Sequence, residues 1–247
     1  MVKIIGLTKA FPGLPAPTLK HIDLTLSPTD FCILLGSNGS GKSTLMRVLS
    51  GEYSVDAGRI EINGHDVTHS DRSTIIASVV QDMHKGTIAQ MTMLENIVLS
   101  MLRGRPARSI LYRQYEKEVA ALVATLGIGL ERYLHTPMGC LSGGQRQMIA
   151  TLMAVHSKPH VLLLDEHTSA LDPKMQRVLM EYTAGAIASS SIASIMITHK
   201  MEDALRYGNR LLMLHEGTIV HDIRGAEKQA LTATDLLGMF CATGDLL

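Results

Sequence analysis

The 247-residue chain has no tryptophan and only three phenylalanines and six tyrosines, against fifteen methionines. Aromatic packing is therefore scarce, and methionine takes over part of the filling of core and surface. Neither sign of charge prevails, since 23 Lys plus Arg balance 23 Asp plus Glu. That balance argues against a protein held on nucleic acid by bulk positive charge, so any anionic ligand must be held by local geometry. With 46% apolar and 19% charged residues, the chain is too apolar and too weakly charged for intrinsic disorder. Its length suffices for one large domain or two small ones.

Cysteine is scarce as well. Cys32, Cys140 and Cys241 are widely spaced and none belongs to a CxxC pair, which speaks against a disulfide framework or a zinc cluster and favours a reducing cytosol. The histidines show no metal-ligand spacing. The opening MVKIIGLTKAFPG lacks the apolar core and cleavage site of a signal peptide. The longest charge-free run, residues 182–198, is diluted by Gly, Ser and Thr and is too short to span a bilayer. The expectation is a chain that crosses no membrane alone but can dock onto one that does.

What is present is a pattern of strands alternating with helices. Residues 2–6 and 22–35 read as apolar strands separated by a Pro/Gly-rich stretch at 11–17. FCILLG (31–36) is a buried strand that runs into a Gly-rich turn and then a helix over 42–49. Residues 58–67 alternate like a hairpin, with Asn63 and Gly64 as its turn, and 78–82 end another strand. From 83 to 155 the texture is helical: Thr92 and Glu95 form a capping-box pattern, and 113–127 is amphipathic and stops at Gly127. VLLLDE (161–166) is a buried strand, Asp172 and Pro173 open a helix to about 188, 194–199 is a strand, and 210–222 is a hairpin. This order predicts a mostly parallel α/β sheet interrupted by an all-helical insert.

Residues 36–43, GSNGSGKS, fit G-x-x-x-x-G-K-[ST] between a strand and a helix. Gly36, Gly39 and Gly41 let the backbone wrap with its N–H groups inward, and the following helix adds its positive end. Lys42 reaches toward the β- and γ-phosphates of a nucleotide, and the Ser43 hydroxyl suits Mg²⁺. VLLLDE supplies the second centre, with Asp165 for the Mg²⁺ shell and Glu166 to orient and polarise an attacking water. A flexible Gly/Ser loop or an ordinary acidic strand end would explain either motif alone, but not both in this order.

LSGGQRQ (141–147) narrows the reading. Ser142 and Gln145 form a capping box, yet two glycines weaken a helix's first turn. Gly143 and Gly144 make sense where backbone N–H groups approach a phosphate closely. With this motif the chain resembles the nucleotide-binding subunits of ABC transporters over nearly its whole length. GSNGSGKST is similar to the Walker A motif, Gln81 to the Q-loop glutamine, and LSGGQ to the signature. VLLLDE is similar to the Walker B motif, SALD (169–172) to the D-loop, and His199 in ITHK to the switch histidine.

The resemblance implies an α/β fold: a P-loop NTPase (RecA-like) core with an antiparallel β subdomain and a helical subdomain inserted at about 83–155, all of 1–247 forming one ABC ATPase domain. It implies that Gly36, Ser37, Asn38, Gly39, Ser40, Gly41, Lys42, Ser43 and Thr44 cradle ATP, with Phe11 stacking on adenine. Ser43, Gln81 and Asp165 would surround Mg²⁺, and Glu166, His199 and Gln81 would serve hydrolysis. Ser142, Gly143 and Gly144 would meet the γ-phosphate of ATP held by a second copy in a head-to-tail dimer, with Gln145 part of the same nucleotide-binding set. One departure stands out: His167 occupies the place where the family usually has proline, which frees a backbone constraint beside the D-loop.

MTMLENIVL (91–99) and the segment after His199 resemble importer ATPases, in particular a branch associated with permeases of the branched-chain amino-acid type. That implies a separate transmembrane permease, an extracytoplasmic substrate-binding protein, and an amino acid or similar small solute. It also implies a place on the cytoplasmic face of the cell membrane, and no nucleic-acid partner. The alternative is a soluble ABC ATPase of a non-transport assembly such as sulfur-cluster biogenesis, which the importer-like segments disfavour.

Overall fold

A computed structural model describes residues 1–80, 86–103, 111–169 and 171–242. Two sheets organise them. An antiparallel sheet has the order β2-β1-β4-β5, from β1 (Val2–Lys9), β2 (Leu19–Leu26), β4 (Ala57–Ile62) and β5 (His65–Asp66). The larger sheet has the order β10-β9-β3-β8-β7-β6, from β3 (Phe31–Leu35), β6 (Ile76–Val79), β7 (Val161–Asp165), β8 (Ala193–Ile197), β9 (Arg210–His215) and β10 (Thr218–Arg224). Its strands run parallel except for β10, which pairs antiparallel with β9 at one edge.

Because the parallel sheet is covered on both faces, its strands read as unbroken apolar runs, and their alternation divides two cores. Cys32 and Leu34 of β3 join Val161 and Leu163 of β7 in the core shared with the antiparallel sheet and helix α1 (Lys42–Ser50). Phe31, Ile33 and Leu35 join Leu162 and Leu164 in the core on the other face. A third core is helical. It gathers Met93 and Ile97 of α2 (Met93–Met101), Val119 and Val123 of α3 (Glu116–Ala124), Ile149 and Leu152 of α4 (Gly143–His156), and Leu179 of α5 (Pro173–Ser189). α4 also sends Val155 into the second core, so this one helix joins the helical layer to the sheet.

The local signals match what forms. The Thr92–Glu95 capping box opens α2, and Asp172 accepts from the N–H groups of Lys174 and Met175 at the start of α5. The expected strand over 22–35 is instead two strands. A turn interrupts it, in which Asp30 N–H bonds the Ser27 carbonyl and the Asp30 carboxylate accepts from Ser27 N–H. The strand expected at 2–6 runs on to Lys9, and the helix expected over 113–127 is a 3₁₀ turn (Tyr112–Tyr115) followed by α3. After β8 come α6 (Met201–Arg206) and, past the hairpin, α7 (Gly225–Ala230) and α8 (Ala233–Ala242).

Two buried arginines fix the frame around α1 and β3. Arg72 donates to the carbonyls of Val48 and Leu49 at 2.6 and 3.0 Å, and to those of Val67 and Thr68. It therefore caps the C-terminus of α1, where a cation suits the negative helix end. Arg210, 1% exposed, binds Asp222 of β10 in a two-pronged pair at 2.7 Å, and also reaches Asp30 and the Thr25 carbonyl. Among the described residues, no helix is long and apolar enough to cross a membrane.

Candidate nucleotide site

β3 delivers the chain to Gly36, whose φ is +148°. A Cβ at this position would lie 2.1 Å from the Leu214 carbonyl oxygen on β9, so no side chain fits. The loop closes at Gly41, in a left-handed conformation just before α1. Lys42 is buried, and its Nζ donates to the carbonyls of Gly36 at 2.7 Å and Ser37 at 2.8 Å. Its ammonium thus spans the loop from inside. Asn38, Gly39 and Ser43 are exposed on the rim of the same turn, with Ser37 and Thr44 half-buried beside them. The Ser40 hydroxyl is buried without a hydrogen-bond partner, the kind of orphan group that marks a strained or ligand-binding position.

A cavity of about 250 Å³ opens at this loop, lined by Gly41, Lys42 and Ser43 together with Glu166 and His199. The P-loop and the ends of β7 and β8 therefore face one space. Thr18 also lines it, with its hydroxyl buried and unpartnered. Sequence reading missed Thr18, which no motif marks.

Glu166 follows β7 with φ +46°, a left-handed conformation uncommon for a non-glycine residue and a recurrent mark of functional sites. Its N–H donates to the Ile197 carbonyl at 3.2 Å, and its carbonyl accepts from Ser169 at 3.0 Å. One carboxylate oxygen is 2.7 Å from His199 Nε2. Asp165 is half-buried, and burial pushes its pKa up, helped by the Glu166 charge and opposed by Arg47, Lys42 and His199. His167 is buried at 2% exposure, its Nε2 unpartnered, and burial lowers its pKa to about 4.

A second cavity, of about 220 Å³, lies between α1 and the ends of β6 and β7, and both Ser43 and Asp165 line it. A hydroxyl and a carboxylate facing one space form a hard oxygen donor set, which fits Mg²⁺. Arg47, also in the lining, was not singled out by sequence. Gln81, expected beside this metal position, lies outside the described residues.

Ser142 caps α4: its hydroxyl accepts from Gln145 N–H at 3.2 Å, and the Gln145 side chain accepts from Ser142 N–H at 2.9 Å. Ser142 is exposed, and none of residues 142–145 lines the P-loop cavity. A Cβ on Gly144 would meet the Leu171 side chain at 2.7 Å, so this glycine also has a packing reason within the chain. Phe11, half-buried, sets its ring against Tyr53, with centroids 5.3 Å apart and planes at 76°.

The chain is similar to known proteins. The family profile described as "ABC transporter" matches residues 19–169. A tyrosine transport ATP-binding protein of Clostridioides difficile (strain R20291) is 35% identical over 247 residues, covering 97% of this chain and 98% of that protein. The spermidine/putrescine import ATP-binding protein PotA of Escherichia coli (strain K12) is 31% identical over 90% of this chain, which spans 56% of PotA's length. Among solved structures, a dimeric ATP-binding cassette in a post-hydrolysis state, bound to ADP and Pi, superposes with a TM-score of 0.78. It is 25% identical, over 91% of this chain and 98% of that one.

Proposed function

The chain belongs to the ABC transporter family of ATPases, and from that premise we propose that it hydrolyses ATP in a head-to-tail dimer to drive solute import through a separate membrane permease. The observation that carries the reading is the shared cavity in which Lys42 and Ser43 face Glu166 and His199. In this reading, phosphate-binding and water-activating groups share one space. Two relatives are named for transport of tyrosine and import of spermidine/putrescine, which supports import of a small nitrogenous solute, an amino acid above all. An extracytoplasmic binding protein would deliver it. The helical residues within about 83–155 are the proposed insert that touches the permease, which would hold this chain at the cytoplasmic face of the membrane.

In this reading Lys42 and the inward N–H groups of residues 36–44 hold the phosphates, and Phe11 carries adenine. Ser43 and Asp165 would hold Mg²⁺, with Gln81 beside them; the ion supplies charge neutralisation at the phosphates. Glu166 accepts the proton of the attacking water, and His199 fixes that carboxylate while reaching toward the γ-phosphate. Ser142, Gly143, Gly144 and Gln145 act on the partner's nucleotide, consistent with their absence from this chain's own P-loop cavity. ATP then joins two copies and its cleavage releases them.

The test is reconstitution with a permease of the branched-chain amino-acid type and a substrate-binding protein from the source organism, in vesicles loaded with ATP. ATP-dependent uptake of an amino acid, abolished by Lys42→Ala, supports the proposal. A chain that hydrolyses ATP but co-purifies only with a soluble scaffold would overturn the transport reading.

A further inference from the structure

Phe11 does not stand alone on its loop. The loop is closed at its base by the Thr18 N–H bond to the Lys9 carbonyl, 2.7 Å, and Thr18 lines the P-loop cavity. Phe11 thereby follows closely on the pinned base of the loop, although its own ring does not line that cavity. Its ring meets that of Tyr53, from outside the loop, at near right angles, and the Lys9 ammonium lies 5.4 Å from its centroid.

Tyr53 begins a short segment, residues 53–56, that leaves the end of α1. At its head, Tyr53 N–H bonds the Arg47 carbonyl at 3.0 Å, and the Arg47 guanidinium returns a bond of 2.8 Å to the Tyr53 hydroxyl. At its tail, Asp56 N–H bonds the Thr8 carbonyl at 3.2 Å. The two carboxylate oxygens of Asp56 take the Lys9 ammonium at 2.9 Å and the Ala10 N–H at 2.7 Å, immediately before Phe11. The segment is thus fixed at one end to the helix that begins in the phosphate loop and at the other to the backbone that presents Phe11.

Resting on the reading of Phe11 as the adenine platform, we infer that residues 53–56 are a strap holding that platform in register with the phosphate loop, with Tyr53 and Asp56 as positioning residues for the nucleobase. Tyr53 limits the tilt of the Phe11 ring, because an edge-to-face pair has a preferred angle. Asp56 fixes the height of the ring by pinning both groups that precede it. Neither touches the phosphates, so their effect falls on the base and not on the triphosphate.

The test compares ATP with inorganic tripolyphosphate, each with Mg²⁺, by calorimetric titration of the full chain. Tyr53→Leu keeps apolar volume but removes the ring; it weakens ATP binding about threefold to tenfold, the size of an aromatic pair, and leaves tripolyphosphate within twofold. Tyr53→Phe restores most of the ATP affinity, since the perpendicular ring pair survives. Asp56→Asn weakens ATP selectively by the other route. Equal loss of both ligands would reduce the strap to general stability, and an unchanged ratio in both Tyr53→Leu and Asp56→Asn would refute it. Phe11→Ala separates the two ideas. If it leaves the ratio unchanged, the platform reading fails and takes the strap with it; if it alone lowers the ratio, only the strap fails.

Discussion

His199 Nε2 stands 2.7 Å from a carboxylate oxygen of Glu166. The contact follows from the sheet: β7 and β8 are parallel neighbours with Asp165 opposite Ile197, so the residues just beyond their C-terminal ends converge. Ligands of open α/β sheets bind at this edge. Replacing the carboxylate by an amide keeps its shape but removes its basicity. Glu166→Gln should therefore retain ATP, accumulate as an ATP-bound dimer on size exclusion, and release phosphate about 10²-fold or more slowly. Phosphate release near the parent rate would remove Glu166 from the role of base. If, as proposed, the imidazole acts on the reacting centre, His199→Ala should lower kcat with less effect on KM.

The signature glycines give a prediction about partnership. Ser142 is exposed at the start of α4, away from its own P-loop cavity. Mixing Ser142→Arg chains with Lys42→Ala chains should rebuild one competent site per heterodimer, because in the proposed head-to-tail dimer the intact P-loop of one meets the intact signature of the other. Each variant alone should be inactive. Tagged heterodimers purified with no single-site turnover would mean that Ser142 does not act across the interface.

Much of this was legible because the signals are local. The capping boxes at Thr92 and Ser142, the Asp172–Pro173 helix start and the glycine turn before Lys42 are each written within a few residues, and each forms as read. The break at residues 27–30 was also local, with Pro28 and Asp30 as its signal, but the flanking apolar runs concealed it. What sequence could not show is long-range. β3 lies between β8 and β9, and Arg210 meets Asp30 across 180 positions of chain. The Tyr53 contact on Phe11 has no signature either, since it depends on the antiparallel sheet placing two loops together.

The Arg210–Asp222 pair predicts how stability responds to acid. Burial alone would raise the Asp222 pKa, but hydrogen bonds from Arg210 and then Arg224 outweigh it and hold the value at about 2. The ordinary value is 3.8, so between pH 3.8 and about 2 the unfolded chain binds a proton that the native chain does not. The contribution is present above pH 3.8 and is lost as pH falls through 2. Asp222 is 32% exposed, so solvent screening limits it to about 1–2 kcal/mol. Asp222→Asn should lower the urea midpoint at pH 7, and its deficit relative to the parent should shrink toward pH 2. A deficit constant over that range would show that the pair does not titrate with folding.

Gly36 tests whether the phosphate loop is set by steric exclusion as well as by backbone freedom. At Gly51 the φ is +86° and nothing lies within 4 Å of where an alanine methyl would stand, so Gly51→Ala should cost only the left-handed penalty of about 1–2 kcal/mol and leave ATP affinity intact. At Gly36 the added carbon would lie 2.1 Å from the Leu214 carbonyl, a backbone atom that no rotamer change can move. Relief would require β9 to shift against β3, where Leu34 pairs with Leu212 and Leu35 with Met213. That shift would also displace the Gly36 carbonyl, which accepts from Lys42. Gly36→Ala should therefore cost about 3 kcal/mol or more in urea unfolding and weaken ATP binding more than tenfold in the same preparation. Equal unfolding midpoints for the two alanine variants would mean that β9 yields to the new methyl group, and that the loop depends on the freedom of its glycines rather than on the wall behind them.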